Sequence, residues 1–165
     1  MAGYLQFDHR RMKIESRFLF PIGILSLAVL LTACSTTQAA DPKNAKALVA
    51  IAQVFNDDYG GNKDGPVYDR WDKRSQAIIG RVDYIHRHLV CATAPQSPAH
   101  VESARSGLDG AWLVRYEIDG IQFTDYWFYV HGRWVFDLPL SNPQAVRLYR
   151  LSYATYVHQL GCSKN

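Results

Sequence analysis

The chain has 165 residues and carries 18 Lys or Arg against 15 Asp or Glu, which gives a formal net charge of +3 at pH 7. Four of the basic and two of the acidic residues precede residue 34, so the remaining 132 residues carry a net charge of only +1. That length suits a single domain, and the lack of a Lys and Arg cluster excludes nucleic acid as a partner.

The N-terminal segment has the composition of a secretory leader. A basic stretch that ends at Arg17 precedes the apolar run Phe18–Leu30, and small residues follow. These are the parts of a signal peptide, which we predict over residues 1–33. An uncleaved membrane helix is the alternative, but the 16 residues from Phe18 to Ala33 fall short of the roughly 20 that span a bilayer.

The leader ends in Leu31-Thr32-Ala33-Cys34, which resembles the bacterial lipobox. The resemblance implies cleavage before Cys34 and diacylation of its sulfur, so that the lipid joins the protein to a membrane. It also implies an exported protein, anchored to the cell membrane or the outer membrane, with residues 34–41 as a lipidated tether. An ordinary signal peptide with a coincidental cysteine is the alternative.

With Cys34 assigned to lipid, Cys91 and Cys162 are the two thiols that remain. In an oxidising compartment they are expected to form a disulfide, for which the chain-entropy relation gives roughly 4 kcal/mol of stabilisation. A metal site that adds His86 or His88 is the alternative, but no CxxC or HxxxH spacing supports it. We predict no metal and no cofactor.

Three helical stretches are predicted, two before the sheet and one after it. Asp41 as N-cap and Pro42 as first residue begin the first helix, and Gly60-Gly61 ends it. A second stretch begins at Pro66, and Gly80 divides it in two. The last helix runs from Asn142-Pro143 to a stop at Gly161.

From Val101 the apolar period changes from 3.6 to 2, with aromatic and β-branched enrichment that is typical of strands. Asp109-Gly110, Asp119-Gly120 and His131-Gly132 are turn pairs of the kind that tight hairpins need. Strands are predicted over residues 101–108, 111–118, 121–130 and 133–138. The fold class is therefore α+β: N-terminal helices packed on a curved antiparallel sheet of about four strands, plus a C-terminal helix, in one domain over 42–162.

Two-residue turns also fix the register, which places Val114 and Leu138 opposite Asp125. One face of the sheet is then aromatic, with Asp125 as its only charge, and the other face, which includes Asp137, is partly solvated. The candidate pocket on the aromatic face consists of Asp125, Trp112, Tyr116, Trp127, Tyr129 and Trp134.

An acid in the middle of an aromatic face is costly to bury unless it is paired or protonated. The first interpretation of Asp125 is structural: it pairs with an Arg or His from the helices, or caps a helix. The second is functional, as the polar group of a pocket that binds a ligand or as a general acid–base. A register slip of one residue, which would expose Asp125, is the third.

The order of helices and sheet resembles the nuclear transport factor two-like, or polyketide-cyclase-like, cone. The segments that carry this resemblance are Tyr68–Asp72, Arg74–Gln76, Gly80–His88 and Gly132–Trp134. Enzymes of that family use Asp, His or Tyr inside the cone, and here Asp125 is the position that matches. His86 and His88 lie two residues apart and cannot both face inward, so both are expected to be structural or exposed. A final helix departs from the family's pattern.

No nucleophile triad, metal triad, phosphate loop or nucleotide fingerprint occurs in the sequence. The sequence therefore favours a non-catalytic, lipid-anchored envelope protein that binds a small apolar ligand or an envelope protein. The alternative is a pocket enzyme that carries out proton transfer or hydrolysis with Asp125, assisted by Tyr116 or Tyr129.

Overall fold

Four helices precede a four-stranded antiparallel sheet, and three short helices follow it, in a computed structural model that describes residues 39–91 and 97–162. The predicted α+β class is confirmed. The leader and Cys34 lie outside the described residues. The elements are α1 Ala45–Gly60, α2 Asp64–Asp69, α3 Lys73–Gln76, α4 Arg81–Val90, β1 His100–Ser106, β2 Trp112–Ile118, β3 Ile121–Val130, β4 Arg133–Phe136, α5 Leu138–Ser141, α6 Pro143–Tyr149 and α7 Tyr153–Gln159.

Helix α1 begins three residues later than its sequence predicts. Asn44 is the N-cap, and its side chain accepts a hydrogen bond from the Ala47 N–H. Asp41, the predicted cap, accepts hydrogen bonds from Arg70 Nη1 at 2.9 Å and from the Trp134 N–H at 3.0 Å. Because this carboxylate is used by two distant groups, the cap falls to the next suitable side chain. Asp41 thus contacts the folded domain through its side chain.

The second helical stretch is divided twice. It ends first at Arg70, where Trp71 forms a parallel bridge with Phe136 of β4. Backbone hydrogen bonds hold this crossing, with Phe136 N donating to Arg70 O at 2.8 Å and Asp72 N donating to Phe136 O at 3.0 Å. Gly80 makes the second break as the N-cap of α4. The helices are thereby fixed to the last strand of the sheet.

The four strands are joined in chain order, β1-β2-β3-β4. The predicted hairpin pairs are present, with Val114 opposite Asp125 and Tyr129 opposite Trp134. Asp119 and His131 have positive φ, as do the glycines that follow them, so both turns have the backbone that two-residue hairpins need. A bulge between Val101 and Ser103 interrupts the ladder of β1.

The chain leaves the sheet earlier than predicted, at Phe136 instead of residue 138. Asp137 caps α5, since its side chain accepts a hydrogen bond from the Leu140 N–H, and it pairs with Arg74. Leu138 is therefore the first residue of a helix and not a strand partner of Asp125. Asp137, placed on the solvated face by the sequence, is 1% exposed.

The predicted last helix is two helices, α6 and α7. The break lies at Arg150–Ser152, and Ser152 caps α7 by accepting from the Thr155 N–H. The predicted ends are present: Asn142 is the N-cap of α6, and Gly161 has positive φ just beyond α7.

Cys91, at the end of α4, is disulfide-bonded to Cys162, just after α7, with the two Cα atoms 5.2 Å apart. The predicted disulfide is therefore present in the structure. None of the helices in the described ranges is long and apolar enough to cross a membrane.

Candidate functional site

A cavity of about 500 Å³ lies beside the aromatic face of the sheet, between α1, strands β2 and β3, and the segment that contains α5 and α6. It reaches the surface, because Tyr59 and Phe123 are each 40% exposed. This volume is within the range of small-molecule sites. The described residues that line it are Phe55, Asn56, Tyr59, Gly60, Val67, Trp71, Tyr84, Ser97, Ala99, Tyr116, Ile118, Phe123, Asp125, Phe136, Leu138, Ser141, Asn142, Pro143, Gln144, Ala145 and Tyr149.

Asp125 lies in this wall and is only 6% exposed. Within the described residues, its carboxylate forms no ion pair with an Arg, Lys or His and caps no helix; its partner is the Tyr116 hydroxyl on β2, which donates a hydrogen bond to it. Asp125 is thus a buried acid in a cavity wall, hydrogen-bonded to a phenol.

Burial raises the pKa of Asp125 to about 7, and the hydrogen bond from Tyr116 opposes part of that rise. The pKa of Tyr116 is raised as well, because that phenol is buried and because its ionisation would place a second negative charge beside Asp125. Near neutral pH the phenol therefore stays protonated while the carboxyl is divided between its two forms. A group with such a pKa can accept or release a proton at physiological pH.

The six residues predicted to form the pocket divide into two sets. Asp125 and Tyr116 line the cavity. Trp127 and Trp134 are fully buried, and Trp112 and Tyr129 pack with Trp134 at ring-centroid distances of 5.1 and 5.0 Å. These four side chains fill the core beyond the cavity. The alternation of side chains along the strands placed all six on one face correctly. Of these six, only Tyr116 and Asp125, which lie nearest to the β2–β3 turn, face open space.

The helices contribute a second polar group, centred on His88. Its Nε2 lies 2.8 Å from the Tyr149 hydroxyl and its Nδ1 lies 2.9 Å from Asp64 Oδ1. Burial lowers the pKa of His88 and raises that of Asp64, while the charge and hydrogen bond of each partner oppose the other's shift. Tyr149 lines the cavity, and the Asp64–His88 pair therefore fixes the orientation of a hydroxyl in its wall.

His86 and His88 behave differently although they lie on one helix. His88 is turned inward, whereas His86 is exposed and stacks on Tyr153 with ring centroids 4.9 Å apart. The prediction that they cannot both face inward agrees with this arrangement. The sequence did not indicate Asp64, since nothing in its spacing distinguishes it from an ordinary acid at a helix start.

Eight of the 21 described lining residues are aromatic, and several of these rings pack on one another. Trp71 and Tyr84 pack edge to face at 4.7 Å, Tyr84 and Tyr149 at 5.6 Å, and Tyr116 stacks on Phe123 at 5.3 Å. Because these rings contact one another, each limits the rotation of its neighbours.

The described part of the wall contains one charged side chain. Of its described residues, Asp125 is charged and none is Lys, Arg or His. Trp71 Nε1 and Asn56 Nδ2 have no hydrogen-bond partner in the described ranges, but these atoms are enclosed and present no donor to the cavity. No group of three or more His, Cys, Asp or Glu side chains there could hold a metal ion.

The arrangement can bind an apolar molecule by its body and meet one polar group of it with Asp125 and Tyr116. It can also move one proton, since Asp125 titrates near neutrality. The chain matches no protein-family model, no curated protein and no solved structure.

Proposed function

We propose that this protein binds a small molecule in the cavity beside Asp125, and that it does so as a lipid-anchored protein of the bacterial cell envelope. The observation that carries the binding proposal is a preformed cavity of about 500 Å³ whose aromatic wall contains one buried acid. A filled sheet face would have favoured a purely structural role or a protein partner. An open one favours a small ligand.

The envelope part of the proposal is supported by the leader and by Leu31-Thr32-Ala33-Cys34. The disulfide between Cys91 and Cys162 supports it independently, because such bonds persist in oxidising compartments. We also propose that the domain is related to the nuclear transport factor two-like cone. Helices that precede a sheet with an aromatic, cavity-bearing face support that relation.

The binding proposal is tested with N-phenyl-1-naphthylamine, an uncharged probe that fluoresces in apolar sites. We expect saturable fluorescence with the full-length protein. Ala145 lines the cavity, so Ala145→Phe fills part of it and is expected to weaken the probe's affinity about tenfold or more, since lost volume excludes the rings.

Ala50→Phe is the matched control, because Ala50 is exposed on α1 and does not line the cavity. It adds the same ring to the surface and should leave the affinity unchanged. Equal affinities of the two variants, or no saturable signal from the wild type, would contradict the binding proposal.

An enzyme that uses Asp125 as a general acid–base is the second candidate, and the raised pKa of about 7 is the observation that favours it. Once a ligand is identified, incubation with the wild type should yield a changed product, at a rate that inflects near that pH. Asp125→Asn should abolish turnover. Recovery of the ligand unaltered after long incubation would exclude this candidate and leave the binding proposal intact.

A further inference from the structure

We propose that the cavity selects an organic cation, an amine with an apolar body, over neutral and anionic molecules of the same shape. The inference rests on the proposed binding function and names its ligand class. It follows from two features of the described wall, its aromatic rings and the identity of the one charged side chain among them.

The rings are the first argument. The described wall contains eight aromatic side chains, namely Phe55, Tyr59, Trp71, Tyr84, Tyr116, Phe123, Phe136 and Tyr149. The face of an aromatic ring is electronegative and attracts an ammonium group within about 6 Å, more strongly where water is excluded. Rings alone hold any apolar molecule, so they permit a cation without requiring one.

The charge is the second argument. Asp125 is the charged group of the described wall, and burial deprives its carboxylate of water. An ammonium ion beside it replaces that lost solvation with a charge-assisted hydrogen bond. A carboxylate or phosphate ligand would instead meet a like charge with no Lys, Arg or His in the described wall to offset it. The site therefore disfavours anions.

The other titratable side chains that line the described part of the cavity do not oppose the negative charge of Asp125. Tyr59 from α1, Tyr116 from β2, Tyr84 from α4 and Tyr149 from α6 all line the cavity, and all are phenols, neutral when protonated. Behind Tyr149 the basic side chain of His88 is paired with Asp64. Hence no described basic group faces the ligand without an acid beside it.

Tyr116 also orients the acid. Its hydroxyl donates a hydrogen bond to Asp125, which stabilises the ionised form that a cation requires. Protonated Asp125 would lose its attraction for an ammonium ion. Cation binding should therefore strengthen as the pH rises through the pKa of about 7, while binding of a neutral molecule should not.

Three probes of matched shape test the inference by isothermal titration calorimetry with the full-length protein: 2-naphthylmethylamine, 2-naphthalenemethanol and 2-naphthoate. At pH 8 we expect the amine to bind about tenfold or more tightly than the alcohol. A bound cation favours the ionised form of Asp125 and so lowers its pKa. Each unit of that lowering corresponds to a factor of ten in affinity. The naphthoate should bind more weakly than the alcohol. At pH 5.5 the preference for the amine should shrink.

Asp125→Asn keeps the shape of the side chain and removes the charge. It is expected to bring the amine and the alcohol within about twofold of each other while the alcohol still binds. Should the variant fail to fold, the pH series on the wild type tests the same charge. An amine that binds no better than the alcohol at pH 8, or a preference that survives Asp125→Asn, overturns the inference but leaves the binding function. Failure of all three probes to bind overturns both.

Discussion

Asp125 combines three properties that rarely coincide in one residue: it is buried, it is acidic and it faces a cavity. Its raised pKa means that the folded state holds the proton more tightly than the unfolded chain. Between the unfolded value of 3.8 and about 7, the native state binds more protons, so the free energy of unfolding falls as the pH rises. The buried acid therefore destabilises the folded state at neutral pH. None of its described contacts gives it a structural role that would account for this destabilisation.

Asp125→Asn is expected to remove this cost. A shift of about three units corresponds to about 4 kcal/mol, so the variant should be more stable than the wild type at pH 8 and no more stable at pH 4. Urea unfolding at intervals from pH 4 to pH 8 measures the difference. Asp119→Asn, in an exposed hairpin turn, is the matched control and should follow the wild type. Parallel wild-type and Asp125→Asn curves would contradict the assigned pKa.

Helix α4 is the element that joins the C-terminal helices to the rest of the domain. From its inner side, His88 contacts Asp64 of α2 and Tyr149 of α6. Arg87 donates to Leu151 O at 2.9 Å and lies over the Tyr156 ring at 4.9 Å. The disulfide ties the end of α4 to the residue after Gly161. Helix α6 forms part of the cavity wall. By contacting α6, α4 supports the site, although α4 itself contributes little of the wall.

Loss of His88 should show this support. His88→Gln leaves the Asp64 carboxylate buried without its partner, and we expect the free energy of unfolding to fall by about 3 kcal/mol. His86→Gln on the same helix is the control: His86 is exposed, and its loss should cost less than about 0.5 kcal/mol. Urea unfolding of both variants at pH 7 decides, and equal stabilities would argue against a buried Asp64–His88 pair.

The disulfide gives a second prediction at this scale. It closes a loop with a sequence separation of 71, for which the chain-entropy relation gives roughly 4 kcal/mol. Cys91→Ser with Cys162→Ser should lower the free energy of unfolding by an amount of that order. A reducing agent should destabilise the wild type to a similar extent and leave the double variant unchanged. A wild type indifferent to reduction would show that the bond carries no stability.

For the molecule as a whole, the N-terminal end of the described domain is held against the β3–β4 hairpin. The Asp41 N–H donates to Gly132 O at 2.8 Å, Tyr129 OH donates to Asp41 O at 2.6 Å, and Trp134 Nε1 donates to Pro42 O at 3.0 Å. Six residues, 35–40, separate Cys34 from this contact in the sequence.

Cys34→Ser tests the anchor. In cells given an alkyne-labelled palmitate, the wild type should be labelled and should fractionate with membranes, because the proposed lipidation attaches the lipid to this sulfur. The variant should be unlabelled and migrate as the unprocessed form. The Cys91→Ser, Cys162→Ser variant serves as control and should still be labelled. A wild-type protein that is soluble and unlabelled would contradict the lipoprotein proposal.

Several features follow from the sequence by itself because they depend on neighbouring residues. Two-residue turns at Asp119-Gly120 and His131-Gly132 set the register, and parity then placed Asp125 on the aromatic face. Helix ends at Asn142 and Gly161 follow from local capping chemistry. The pairing of Cys91 with Cys162 follows from having two thiols left after Cys34 is assigned.

Other features were decided by tertiary structure, since they depend on which distant groups compete for one atom or one volume. Asp41 does not cap α1, because its carboxylate accepts hydrogen bonds from Arg70 and Trp134 instead. No local sequence pattern indicates those contacts. His88 found Asp64 and Tyr149 on other helices. Parity gives the face on which a side chain lies but not what packs above it. Packing therefore decided that Trp127 fills the core while Asp125 faces open space.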